Sequence, residues 1–303
     1  MLRGARGRRG EGAGRGRGGV PARGAAGGAA GGSAGGAAGG GGGGGSGVSP
    51  EFAAAAAALG RAPRADGASP ASSSDGASAP SLPLPAALRA GAPKGRCVLA
   101  LLSHFGDLTP WEYAQELKER ALPALEAAQV PLVFCGLGSA EAAALFAAQT
   151  GVDPANVFAL DSGALYEELG FSRGFAPDAP VSPYLKLLPM LLGVGSPGTV
   201  QEVVRGYVGD RDAPEVFAGG SVFDVLGSGY QRPFELASRR LLNMASILPR
   251  WRDLAPADAG LLTAQGGTFV FADGETRFAH RASGILDRAP VDAVLEAALS
   301  AER

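Results

Sequence analysis

Few residues in this chain are suited to nucleophilic or redox chemistry. Its 303 residues include two cysteines, Cys97 and Cys135, and two histidines. Both cysteines lie in short apolar runs, CVLALLS and PLVFCGL, which predict buried strands. Burial raises the pKa of a thiol and blocks access to it, and the separation of 38 residues fits no Cys-x-x-Cys redox motif. Parallel strands rising ~3.3 Å per residue would also hold these cysteines too far apart for a disulfide. We therefore predict two core thiols, with a catalytic thiol as the alternative.

The segment after the first strand carries the other candidates. Thr109 and Pro110 precede a helical pattern, and Thr109 with Glu112 three residues later forms a capping-box signature. Thr109 is then expected to be the N-cap, worth about 1 kcal/mol. His104, one residue beyond the strand, is a candidate general base, although a loop histidine can also be incidental.

Two further motifs are expected to be structural. Residues 193–198 read GVGSPG, but a helix candidate rather than a strand precedes them and Pro197 removes an amide, so we predict a helix–helix turn rather than a dinucleotide site. Asp210 and Asp212 lack a nearby third ligand and are expected in a solvated loop. We predict no metal and no cofactor.

Arginines of the second half offer an anion-binding hypothesis. Arg205 and Arg232 are the candidates for binding a small anionic ligand near Thr109. The alternative is a structural role in salt bridges with nearby acids. The expected acidic partners are Glu202, Asp210, Asp212 and Glu235.

Charge and composition divide the chain at about residue 94. Residues 1–94 carry 11 Lys and Arg against 4 Asp and Glu, a net +7, whereas residues 95–303 carry 16 against 25, a net −9. The Arg-rich, acid-poor start predicts an organelle transit peptide within residues 1–50, followed by a disordered linker over 51–94. An RNA-binding Arg-Gly arm is the alternative, but no aromatic residue interrupts the first 24 residues. The acidic remainder argues against nucleic-acid binding, and no apolar run is long enough to predict a transmembrane segment.

Residues 95–303 alternate strand and helix patterns. Strands are expected at 97–103, 131–137 and 157–160, with a hairpin over 268–280. This pattern predicts an α/β fold with a mixed sheet covered by helices on both faces. Residues 171–260 contain the helix candidates 184–192, 199–208 and 233–251, and are expected to form a helical insertion before the hairpin.

The sequence also resembles a known family. The segments LPALEAAQVPLVFCGLGSAEAAALFAAQTGV and LDSGALYEELGF resemble the thioredoxin-fold AhpC/TSA antioxidant family. The segments GVGSPGTVQEVVRGYVGDR, GYQRPFELASRRLLNM and QGGTFVFADG resemble its plant, algal and cyanobacterial peroxiredoxin-like subgroup. This resemblance covers residues 97–301 and implies a thioredoxin-like fold and a chloroplast location, with the mitochondrion as the alternative.

The resemblance also implies an altered reactive site. In peroxiredoxins a reactive cysteine precedes a proline at a helix start, and Thr109 followed by Pro110 stands at that position here. Gly106 and Leu102 stand where the family has a threonine and a proline. The implied function is binding of an unknown protein partner or small anionic ligand without peroxidase chemistry. The alternatives are a thiol oxidoreductase using Cys97 or Cys135 and a plastid assembly protein that binds through the insertion.

Overall fold

A five-stranded mixed sheet organises the described part of the protein. The computed structural model describes residues 48–67, 95–217 and 219–300. The strands are β1 (Cys97–His104), β2 (Leu132–Leu137), β3 (Val157–Leu160), β4 (Gly267–Ala272) and β5 (Glu275–Arg281). They lie in the order β3-β2-β1-β4-β5; β1, β2 and β3 are parallel, and β4 is antiparallel to both β1 and β5. The predicted mixed sheet and terminal hairpin are confirmed.

Helices cover both faces of this sheet, as predicted. Their bounds are α1 (Pro50–Leu59), α2 (Leu108–Glu116), α3 (Leu122–Ala127), α4 (Ala140–Thr150), α5 (Ala164–Glu168), α6 (Pro183–Leu191), α7 (Thr199–Val208), α8 (Glu235–Ile247), α9 (Trp251–Leu254) and α10 (Val291–Leu299). Every residue of β1 and β2 is buried, because both faces of these central strands are covered.

Alternation along the strands divides the buried side chains between two cores. Val98, Ala100 and Leu102 of β1 face a core formed with α2, α4 and α10. Their neighbours in β1, Cys97, Leu99 and Leu101, face a second core formed with α1 and α5. The two cysteines therefore point to the face of the sheet opposite α2.

The helical segment after β1 continues past Pro123 because a π-helical turn precedes this proline. A π-helical segment, Leu117–Ala121, joins α2 to α3 just before this proline. Pro123 has no N–H to donate, and the local π turn accommodates that loss without ending the helix.

The insertion over residues 171–260 is helical, as predicted. Helices α6, α7 and α8 match the three predicted segments closely, and among its described residues the β pairing is limited to a bridge between Asp210 and Gln231. Helix α7 begins after Gly198, which adopts a left-handed conformation at the N-cap. The turn predicted for residues 193–198 therefore joins α6 to α7.

The prediction of a disordered linker over residues 51–94 is wrong for residues 51–67, which are folded. Helix α1 lies in the second core, where Phe52 and Leu59 are buried and the Phe52 ring meets Phe271 edge-on at 5.4 Å. The Ala65 amide donates to the Val157 carbonyl at 2.9 Å, at the outer edge of the sheet. Residues 1–47 and 68–94, which carry the predicted transit peptide and the rest of the linker, lie outside the described residues.

No helix within the described residues is both long enough and apolar enough to cross a membrane.

Candidate functional site

The loop from β1 to α2 is fixed by the aromatic ring of Phe105. A Cβ atom on Gly136 of β2 would lie 2.7 Å from this ring, so the close approach requires glycine. The Phe105 carbonyl accepts a hydrogen bond from Trp111 Nε1 at 2.8 Å. These buried contacts hold the first turn of α2 at the carboxyl end of β1.

Asp107, not Thr109, caps α2. The Asp107 carboxylate accepts hydrogen bonds from the Thr109 amide at 3.4 Å and the Ser103 hydroxyl at 2.6 Å. The predicted capping box is therefore wrong: Thr109 lies inside the first turn, and the Glu112 carboxylate accepts from Arg240 Nε at 2.6 Å instead. A negative charge from the chain itself thus occupies the positive end of the helix.

Thr109 connects α2 to the loop after the hairpin. Its hydroxyl accepts a hydrogen bond from the Leu286 amide at 3.2 Å, while Pro110 next to it is buried. The hydroxyl therefore has a structural partner 177 residues away in the sequence.

A small cavity of about 30 Å³ opens beside Thr109. Its walls include Thr109, Pro110 and Tyr113 of α2, residues 265–268 leading into β4, and Arg288. The Tyr113 hydroxyl is hydrogen-bonded to the Thr268 hydroxyl at 2.7 Å. A cavity of this size holds about two water molecules, far less than the ~300 Å³ of a typical small-molecule site.

Arg288 is the cation of this cavity, and two carboxylates of α2 neutralise it. Its Nε donates to Glu116 at 2.9 Å, and its Nη1 lies 3.6 Å from Glu112. Burial alone would raise the pKa of Glu116, but the charges and hydrogen bonds of Arg288 and Arg120 outweigh it and lower that pKa. The guanidinium is thus committed to the protein itself.

Both cysteines are buried, in the strands predicted for them. Cys97 and Cys135 have no exposed surface and are unbridged. Burial raises the pKa of Cys97 to about 12 and raises that of Cys135 as well. In the parallel register Leu101 pairs with Cys135. The two cysteines are therefore offset by four residues, about 13 Å, which exceeds the reach of a disulfide.

The sequence of the chain matches a known family. A family model described as AhpC/TSA antioxidant enzyme matches residues 116–284, more than half of the chain. The chain belongs to this family. No curated protein and no solved structure is similar enough to the chain to count as a match.

The family match covers only part of the candidate site. It begins at Glu116, at the end of α2, and extends through β2, the insertion and the hairpin. It therefore includes Cys135 and excludes Cys97, His104 and Thr109. Membership of the AhpC/TSA family rests on the part of the chain from the last residue of α2 to Gly284.

His104 is buried beside the insertion and does not line the cavity at Thr109. Its ring meets Trp251 edge-on at 5.8 Å, and its Nδ1 has no hydrogen-bond partner. Burial lowers the pKa of His104, against the opposing charge of Asp107. The neutral imidazole is the favoured form, in a position separate from the cavity.

Arg205 and Arg232 are paired with acids of the insertion, and neither lines the cavity at Thr109. Arg205 bonds to Glu202 at 2.7 Å and to the Gln231 side chain at 3.1 Å. The guanidinium of Arg232 is fully buried and pairs with Glu235. Of the four acids expected as partners, Glu202, Asp210 and Glu235 form such pairs. Asp212 instead donates its amide to the Asp210 carboxylate.

Sequence reasoning missed a polar cluster formed by the end of β5 and the loop that follows it. His280 Nε2 lies 3.1 Å from the Asp287 carboxylate, which also accepts from the Ser283 hydroxyl at 2.8 Å. The order is Ser–Asp–His, so the imidazole does not touch the hydroxyl and cannot take its proton. The cluster therefore fixes the loop that carries Arg288.

Asp107 and Arg288 were also missed, for different reasons. Asp107 had a visible signal, because an aspartate two residues before Thr109 is an equally good N-cap candidate. For Arg288 the sequence contains only an indirect signal. Glu112 and Glu116 are four residues apart on α2, and their burial requires a cation that the sequence does not identify.

Within the described residues no three or more His, Cys, Asp or Glu side chains are grouped so as to hold a metal ion.

Proposed function

We propose that this AhpC/TSA protein does not reduce peroxides with a cysteine and acts by binding a protein partner. The observation that carries the first part is the burial of both cysteines of the chain, in strands whose thiols face away from α2. A thiol with a pKa of about 12 is ionised in roughly one molecule in 10⁵ at neutral pH. Peroxide reduction needs the thiolate, so neither thiol is fit for it.

The first turn of α2 supports the same proposal. Thr109 stands where the resemblance places the reactive cysteine, and a threonine hydroxyl does not ionise at neutral pH. Asp107 supplies the anion that a thiolate would supply at the helix start. A second anion beside this carboxylate would be repelled.

At Thr109 the structure does not favour a small ligand, and we infer that the partner is a protein. The cavity at Thr109 is about 30 Å³, and its arginine is already neutralised by Glu112 and Glu116. The insertion, in contrast, exposes many large apolar side chains to solvent. Such surfaces are typical of protein contact sites.

We place the protein in the plastid on the composition of its first residues, with the mitochondrion as the alternative. Six arginines and one acid occur in the first 19 residues, as in organelle transit peptides. A fluorescent fusion of the first 94 residues tests this location. Retention in the cytosol would contradict it.

Peroxide consumption by the full-length protein tests the proposed function. With dithiothreitol or thioredoxin as reductant, we expect the native protein, Cys97→Ser and Cys135→Ser to give the same rate as reductant alone. The two serine variants serve as matched controls for thiol chemistry. Turnover by the native protein that either substitution abolishes would instead identify a thiol oxidoreductase.

A further inference from the structure

Three helices of the insertion expose apolar side chains where surface helices normally carry polar ones. Helices α6 and α7 each bury one side, Lys186 and Met190 on α6 and Thr199 and Gly206 on α7. Their opposite sides are apolar and exposed, and α8 repeats this pattern with Leu241. The usual orientation of an amphipathic helix is therefore inverted, which indicates a covered surface.

Most of these exposed apolar side chains belong to α6 and α7, whose outer sides we call the α6–α7 face. We define it as the nine apolar residues on the outer sides of the two helices, each 44–76 % exposed. They are Tyr184, Leu185, Leu188, Leu191, Leu192, Val200, Val204, Tyr207 and Val208. Helices α6 and α7 are joined by the short turn at residues 192–198, so these side chains lie on consecutive helices.

The α6–α7 face is at least as large as the largest apolar patch of a typical monomer. Nine large side chains exposed by about half present several hundred Å² of apolar surface. The largest apolar patch on a typical monomer is about 300–600 Å². Each partner in a standard protein–protein interface contributes about 800 Å². One partner of ordinary size would therefore cover this face.

The spacing of the side chains fits a helical partner. Tyr184, Leu188 and Leu191 on α6 are separated by four and three residues, and so are Val200, Val204 and Tyr207 on α7. This alternation of three and four forms a straight apolar seam along each helix, into which another helix packs. The partner should present the same kind of seam.

Charge restricts the partner further. Residues 171–260 contain nine Lys and Arg and nine Asp and Glu, a net of zero, whereas the rest of 95–303 contains seven against sixteen, a net of −9. The arginines Arg205, Arg232, Arg239 and Arg240 are all paired with acids of the protein. This surface therefore has little to attract an anionic membrane or an acidic protein.

We infer that a second copy of this chain covers the α6–α7 face in a twofold-symmetric dimer. The second copy supplies an apolar helical face of the same size and with the same neutral charge. Because the rest of residues 95–303 carries a net −9, two copies repel each other least where their neutral insertions meet. The four helices would pack as an antiparallel bundle. This inference rests on the proposed role of the insertion as a contact surface.

The mass of the full-length protein in solution tests this dimer. Sedimentation or light scattering from about 1 to about 100 µM should give a dimer for the native chain. The double variant Leu188→Glu/Val204→Glu should be monomeric. Both side chains face solvent, so circular dichroism should show an unchanged fold. Val225→Glu is the matched control, because Val225 is 87 % exposed on a separate turn, and it should remain dimeric.

Cross-linking gives a second, independent readout. The native thiols are buried, so a surface cysteine from Leu188→Cys can report contact between copies through a disulfide formed with diamide. We expect a covalent dimer for Leu188→Cys at low protein concentration and a much slower one for Val225→Cys.

Three results would overturn the inference: a native monomer over the whole concentration range, a dimer that persists in the double variant, or a monomer that binds neutral lipid vesicles through this face. A monomer that reduces no peroxide would contradict the dimer and leave the proposed function standing. A dimer that reduces peroxide through Cys97 or Cys135 would support the dimer and contradict the proposed function.

Discussion

A carboxylate at the first turn of α2 sets the chemistry of this end of the sheet. Asp107 accepts hydrogen bonds from Ser103 and from the Thr109 amide, and it neutralises the positive end of the helix. Thr109 is thereby released from capping and binds the Leu286 amide. The helix N-terminus that would stabilise a thiolate is present, but the Asp107 carboxylate already accepts a hydrogen bond there.

Introducing a cysteine at this position tests that description. Thr109→Cys should produce a thiol that reacts with iodoacetamide about tenfold faster at neutral pH than the native thiols, because it lies at a helix N-terminus. Adding Asp107→Asn should lower the pKa of the new thiol further, since the repelling carboxylate is removed. Alkylation rates measured against pH separate the two variants. Equal pKa values would show that Asp107 does not act on this position.

Glu116 gives a pH-dependent prediction. Its pKa in the folded protein is lowered by Arg288 and Arg120, so between its folded and unfolded pKa values the unfolded chain binds more protons. Its stabilisation is complete above the unfolded pKa of about 4.3 and is lost as pH falls through the folded value.

Glu116→Gln should therefore lower the free energy of unfolding by about 1–2 kcal/mol at pH 7. The difference from the native protein should shrink below about pH 4 as the native carboxyl is protonated. Urea unfolding at pH 7 and at a pH below about 4 measures the difference in the free energy of unfolding. Glu126→Gln is the control, because Glu126 is exposed on α3. A difference that is the same at both pH values would contradict the ion-pair assignment.

For the helices and strands, the spacing of apolar residues along the sequence predicted most of the elements. The runs around Cys97 and Cys135 predicted buried strands, and Thr199 to Val208 predicted α7. A turn or two of helix can be expected for Ala53 to Ala58, but the packing of α1 on the sheet was missed because its sequence, PEFAAAAAAL, has two large apolar residues and no marked apolar stripe. Its alanines pack closely on the sheet, and that fit depends on a surface that the local sequence does not reveal.

Leu59 tests whether α1 belongs to the folded body. It is fully buried in the core shared with Phe158 and Phe271, so Leu59→Ala should lower the free energy of unfolding by about 2–5 kcal/mol. Ala57→Ser, on the exposed side of the same helix, should change it by less than about 0.5 kcal/mol. Equal effects in thermal or urea unfolding would mean that α1 does not pack as described.

At the scale of the whole molecule, the fold was more predictable than the site. The alternation of strands and helices specified the mixed sheet, because each element needs an apolar face against its neighbour. The candidate site combines α2 with Thr268, Leu286 and Arg288, which lie more than 150 residues away in the sequence. No local pattern specifies such contacts, so Arg205 and Arg232 were considered as ligand-binding residues and Arg288 was not.

The charge distribution is also a property of the whole chain. The insertion is neutral and apolar on its outer side, while the remainder of residues 95–303 carries a net −9. The insertion is also in contact with the candidate site, because Arg240 of α8 donates to Glu112 of α2 at 2.6 Å and the Ser196 hydroxyl accepts from the Ile285 amide at 2.6 Å. The proposed contact between copies would thus use the least charged part of residues 95–303.

Titration of the thiols in the native full-length protein measures whether Cys97 or Cys135 is available to react. With Ellman's reagent at pH 8, we expect less than about one-tenth of a thiol to react within an hour and two thiols to react at once in guanidinium chloride, because burial shields Cys97 and Cys135 and raises their pKa values. One fast thiol in the native protein, lost in Cys97→Ser or Cys135→Ser, would contradict the account.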